Sequence, residues 1–156
     1  MLRKSLIEVT QKPRRDAGNA IVELALVAPI LVLVLIGVAE FGRFAYMAIE
    51  ISNAARAGVA YGAQNHVTAS DITGMQNAAT GDGSNVPGIS ATANHYCACS
   101  NASGTQVACL PTSCTSSPIV EFVQVNTTAS VSPIFNYPGI SNTLTLTGRA
   151  TMRVEQ

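Results

Sequence analysis

Residues 19–63 read NAIVELALVAPILVLVLIGVAEFGRFAYMAIEISNAARAGVAYGA, and this stretch decides the fold. From Leu24 through Ala39 there is no charged residue, and the 21 residues from Asn19 to Ala39 carry only one, Glu23. A helix crosses a bilayer with about 17 to 25 largely apolar residues, so the segment is long enough to span. It is apolar on every side, which sets it apart from the core-facing helix of a soluble domain. Ahead of it, up to Gly18, stand five basic residues (Arg3, Lys4, Lys12, Arg14, Arg15) and two acids (Glu8, Asp16). Positive charge directly before an apolar span stays in the cytoplasm, which places everything after about Phe41 outside. A cleavable secretory signal has the same polarity, with Gly37-Val38-Ala39 as its cleavage site. The length of the run, Glu23 at its start and the helix-compatible sequence from Glu40 onward favour a retained segment.

The whole chain agrees with an anchored protein. Its 156 residues carry nine basic and nine acidic side chains, a formal net charge of zero. Charged residues make up 12% and hydrophobic residues 47%, which excludes a disordered polyelectrolyte and a basic nucleic-acid binder.

Glu23 is the most informative residue. A carboxylate in a spanning helix costs about 2.5–3.5 kcal/mol on insertion scales and so tends to have a partner. One reading has Glu23 snorkel toward the head groups. Another follows from the residues before it, RRDAGNAIVE at 14–23. A cut after Gly18 would remove the basic leader and create an α-ammonium at Asn19. In an assembly, a neighbour's new terminus would then pair with Glu23 inside lipid.

Residues 14–63 resemble the TadE-like family, small pilin-like proteins of bacterial tight-adherence (Flp) pilus systems. The resemblance is carried by the basic leader, Gly18, Glu23 with Leu24-Ala25, Pro29 inside the apolar run, Glu40-Phe41-Gly42-Arg43 and Asn53-Ala54-Ala55-Arg56-Ala57-Gly58. It implies cleavage after Gly18 by a membrane prepilin peptidase. It also implies an assembly role for Glu23 and, as partners, other pilin subunits and the pilus assembly machinery.

Beyond Ala39, apolar residues recur at helical spacing: Phe41, Phe44 with Ala45, Ala48, Ile51, Ala55, Val59. The pattern predicts one helix from about Asn19 to about Gly62, kinked near Pro29 because proline removes a backbone hydrogen bond. Small residues along it (Ala45, Ala48, Ala54, Ala55, Ala57, Gly58, Ala60, Gly62) allow close approach, either of neighbouring stems or of the chain's own sheet. A short second helix is expected over Asp71–Ala79 with Ser70 as its N-cap, followed by a loop through Gly81–Asn85 and Pro87-Gly88.

From Asn65 to the end, 32 of 92 residues are Ser, Thr or Asn. Ile89–Cys99, Val120–Ala129 and Thr143–Glu155 are the strand candidates, with Gly148 as a bulge. Cys97, Cys99, Cys109 and Cys114 read as two disulfides outside the cytoplasm, each of the first two pairing with one of the last two. The rival, a thiolate metal or redox site, lacks paired Cys-x2-Cys knuckles. His66 and His95 fall in no metal or triad motif, and Asp71, Asp82, Glu121 and Glu155 are scattered. There is no phosphate loop, dinucleotide fingerprint or nucleophile elbow. Neither a catalytic role nor a cofactor or resident metal is expected.

The expected organisation is a cytoplasmic leader (1–18), the transmembrane part of the stem (19–40), an amphipathic stem extension (41–64) and an extracytoplasmic β domain (65–156). Together these make an α+β, pilin-like fold. It would sit in the bacterial inner membrane with its outer domain periplasmic, or extracellular once assembled. The expected function is that of a minor pilin or pseudopilin; the alternative is a single-pass anchored protein whose outer domain binds a surface or ligand without forming filaments.

Overall fold

A computed structural model describes residues 16–101, 105–135 and 142–155, with side-chain surroundings from residue 20 onward. The basic leader up to Arg15 lies outside the described residues, as do the side chains of residues 16–19. The chain divides into two compact units, one up to Ala39 and one from Glu40 to the end.

The first unit is helical. Helix α1 spans Asp16–Gly62 and runs through Pro29 without interruption. Its apolar side chains are largely uncovered among the described residues: Leu24, Leu26, Leu31, Leu33 and Leu35 are all 54–71% exposed. The segment from Ala20 is long and apolar enough to cross a membrane.

The second unit holds the rest of α1, two short helices and a sheet. Helix α2 (His66–Ser70) begins at Asn65, whose Oδ1 accepts from the Val67 and Thr68 amides at 2.9 and 3.0 Å. The Thr68 hydroxyl in turn accepts from the Asn65 amide at 3.1 Å, completing a reciprocal cap. Helix α3 (Ile72–Asp82) is capped by Asp71, not Ser70: Asp71 Oδ1 accepts from the Gly74 amide at 2.8 Å. Ser70 is the last residue of α2, and its hydroxyl bonds the His66 carbonyl at 3.0 Å.

The strands are β1 (Ser90–Cys99), β2 (Gln106–Val107), β3 (Ile119–Val131) and β4 (Leu144–Arg153). They form one antiparallel sheet in the order β2-β1-β3-β4. Alternation assigns the odd residues of β3 to the inner face, where Val123, Val125, Thr127, Ala129 and Val131 are buried. Against this face lie Ile51, Gly58, Val59 and Gly62 of α1 and Ala63 just beyond its end, all buried. Val59, Ala63, Met75, Ala79, Val123, Val125 and Val154 share one core. The stem thus packs on the sheet by a face spaced i, i+3, i+4, i+7.

The structure apportions the small residues of the stem. Ala54, Ala55, Gly58 and Gly62 are buried in the chain's own unit, whereas Ala45, Ala48 and Ala60 are exposed. Phe41, placed on the apolar stripe by sequence, is 76% exposed. Among the described residues the stripe is fully buried from Ile51 onward, with Phe44 half-buried before it.

Gly148 is not a bulge. The β3–β4 register runs without a skipped residue from Val131↔Leu144 to Phe122↔Arg153. The glycine is needed for close approach: a Cβ there would stand 2.6 Å from the Ile51 carbonyl oxygen and 2.7 Å from Thr127 Oγ1. At the same contact the buried Thr127 hydroxyl donates to the Ile51 carbonyl at 2.7 Å, tying sheet to stem inside the core.

Candidate functional site

In the membrane-length part of α1, Gly18 lies in the helix five residues ahead of Glu23. Glu23 is exposed, between the exposed apolar residues Val22 and Leu24. The Asn19 side chain lies outside the described residues. A lone carboxylate in an exposed apolar sleeve is the arrangement expected to draw a cationic partner once lipid surrounds it.

A second feature opens the following unit. Glu40 is 7% exposed, and its Oε1 accepts from the Ile134 amide at 2.8 Å and from Arg43 Nη2 at 3.3 Å. Arg43 also donates to the Ser132 carbonyl, and its guanidinium lies 5.2 Å from the centre of the Phe44 ring. Burying a carboxylate is costly unless it is paired and hydrogen-bonded, and Glu40 is both. The Glu40-Phe41-Gly42-Arg43 stretch therefore clamps the segment that leaves β3. The sequence marks Glu40 and Arg43 as carriers of the family resemblance; the signal available for their pairing is their i, i+3 spacing.

A third cluster lies at the far end of the inner sheet face. Glu121 Oε2 stands 2.8 Å from His66 Nδ1 and 3.4 Å from His95 Nε2. The three come from the start of α2, β3 and β1, and no sequence spacing announced them. Beside them the four cysteines close as Cys97–Cys109 and Cys99–Cys114, interleaved, with sequence separations of 12 and 15. Each loop of this size contributes about 3 kcal/mol by restricting the unfolded chain. The pairing follows from β2, where Val107 faces Cys97 across the ladder and brings Cys109 within reach.

Two titrations are displaced where Asp71, between α2 and α3, meets Tyr61 of α1. The Gly74 amide bonded to Asp71 and the Tyr61 hydroxyl, which donates to Asp71 Oδ2 at 2.9 Å, hold the Asp71 carboxyl below its ordinary range. The same hydrogen bond and the Asp71 charge raise Tyr61 above its ordinary value.

Residues 18–60 match the family model TadE, described as TadE-like protein. The stem carries the TadE-like signature. The match begins at Gly18, takes in Glu23, Pro29, the Glu40–Arg43 clamp and Asn53–Gly58, and ends at Ala60, two residues before the end of α1. The sheet and both disulfides lie beyond it. No curated protein and no solved structure matches the chain.

Proposed function

We propose that this protein is a TadE-like minor pilin or pseudopilin. It is held in the inner membrane by α1, cut after Gly18 by a prepilin peptidase, and incorporated into a tight-adherence pilus or related secretion assembly. It acts as a peptidase substrate and structural subunit, not as a catalyst. The observation that carries this reading is the family match over residues 18–60, which joins Gly18 and Glu23 to an apolar helix left exposed among the described residues.

Physically, the cut does two things. It removes the basic leader that fixes the N-terminus in the cytoplasm, and it exposes the α-ammonium of Asn19. Glu23 of one subunit then neutralises the new terminus of its neighbour, offsetting about 2.5–3.5 kcal/mol of insertion penalty for a lone carboxylate. Disulfides suit a domain facing the oxidising periplasm, which agrees with the orientation the leader predicts.

The test is intact-mass measurement of the full chain after co-expression with a prepilin peptidase. Loss of residues 1–18 is expected, together with an uncut chain when Gly18 is replaced by a bulky residue. An uncut wild-type chain would overturn the proposal in favour of a single-pass anchored binding protein. Glu23→Gln should be cut normally yet fail to enter filaments; normal incorporation would remove Glu23 from the mechanism.

A further inference from the structure

The inner sheet face changes character where α1 ends. Along β1 the row that packs on the core as Ala91 and Ala93 continues as His95 and Cys97. Along β3 the row Val125, Val123 continues as Glu121, which faces Cys97 across the ladder. One ring nitrogen of His95 and the sulfurs of Cys97 and Cys109 lie within 4.8 Å of one another. His95 Nε2 is buried and has no hydrogen-bond partner among the described residues, although Glu121 Oε2 stands 3.4 Å away. A buried ring nitrogen left incompletely bonded, on a half-buried imidazole beside two sulfurs and a carboxylate, calls for a chemical reason.

We infer that, before Cys97 and Cys109 are oxidised, they and His95 form a Zn2+ site. Every chain is synthesised with thiols. Two thiolates and an imidazole are a set that zinc binds well, leaving a fourth position to water or a further oxygen ligand. Glu121 orients the His95 ring, in the manner of the carboxylate partners that fix metal-bound histidines.

Binding one Zn2+ releases two thiol protons and moves no electrons. Closing the disulfide instead transfers two electrons to an external thiol oxidant, such as a protein dithiol oxidase in its disulfide form. Metal and disulfide are therefore alternative states of the same two sulfurs, and oxidation expels the metal. The zinc state would hold Cys97 beside Cys109 and away from Cys99 and Cys114. Of the three ways to pair four cysteines, it selects the one the folded protein contains. Cys99 and Cys114 are not part of the metal-ligating group.

The experiment uses the full chain in detergent, reduced and then freed of reductant, titrated with Co2+ and then Zn2+. One equivalent of Co2+ should give a tetrahedral thiolate spectrum that Zn2+ abolishes, and the oxidised chain should give none. The double variant Cys99→Ser, Cys114→Ser should keep the spectrum. His95→Ala should weaken binding by about tenfold or more, and Glu121→Gln by less. Absence of one-equivalent binding in the Cys99/Cys114 variant would overturn the inference, and so would His95→Ala binding as tightly as wild type. A measurement that needs no variant is alkylation of the reduced wild-type chain with and without Zn2+, read by peptide mass. Shielding of Cys97 and Cys109 alone is expected; equal labelling of all four overturns the assignment.

Discussion

Between Ala20 and Val38, α1 exposes leucine, isoleucine and valine on every side. Between Ile51 and Gly62 the same helix buries a face made largely of alanine and glycine. The contrast shows that residue size, not helix propensity, assigns each half its surroundings. Large apolar side chains all round suit a fluid hydrocarbon solvent, which fills any shape. Small residues let a backbone come close to a rigid sheet, where a cavity or an overlap is felt at once. At Gly58 an added Cβ would lie 2.9 Å from the Met75 carbonyl oxygen and 3.1 Å from Val125 Cγ1, whereas at Gly37 it would meet nothing within 4 Å.

The largest effect that sharpens this contrast should come from Met75→Ala. Met75 is fully buried between Gly62 and Val123 in the shared core. Truncation should cost about 2–5 kcal/mol in denaturant unfolding of the full chain in detergent. Leu33→Ala, in the exposed half, should change the same transition by less than about 0.5 kcal/mol. Equal losses would break the comparison.

Next in size is the glycine pair. Gly148→Ala forces a methyl against the Ile51 carbonyl and the Thr127 hydroxyl, for a cost of about 1–3 kcal/mol. Gly37→Ala should be tolerated. Thermal melts followed in the near-ultraviolet, where Tyr61 and Tyr96 report on the second unit, would separate the two. Smaller again is Thr127→Val, which removes the hydrogen bond to Ile51 and should cost about 1 kcal/mol.

Much of this architecture is legible in the sequence because periodicity and composition act over long segments. The stem expected over 19–62 is observed over Asp16–Gly62, and the three main strands lie within two residues of expectation at every end. Short elements escape that logic. Helix α2 has five residues and no room for a period; its only local mark is the Asn65–Thr68 cap. Strand β2 has two residues and exists because Cys97 and Ala98 offer a ladder to pair with. Gly148 carried the right signal and the wrong cause, since a bulge and a close crossing both ask for glycine. In the candidate sites, Glu40 and the meeting of His66, His95 and Glu121 depend on partners 26 to 94 residues apart, which no local pattern encodes. The cysteine pairing was narrowed by chemistry and decided only by the ladder that carries Val107 to Cys97.

The smallest effect concerns Asp71, which lies in the covered unit although the turn it organises is open to water. Its carboxyl is held below the ordinary range chiefly by the Gly74 amide, then by the Tyr61 hydroxyl. A group whose pKa falls on folding adds stability that is fully present above its unfolded value, about 3.9, and is lost as pH drops through the folded value. Asp71→Asn should therefore lower the unfolding midpoint at neutral pH, and its gap to wild type should narrow as pH falls below about 4. Tyr61 titrates upward through the same bond, so its contribution has the opposite sense. It is present below its unfolded pKa of 10.0 and fades as pH climbs through the higher folded value. Tyr61→Phe should narrow the Asp71→Asn gap at neutral pH, because the two substitutions delete one shared hydrogen bond and cannot add. An Asp71→Asn gap that persists unchanged into acid would mean that the cap acts through shape, with the asparagine amide failing where the carboxylate's charge is irrelevant.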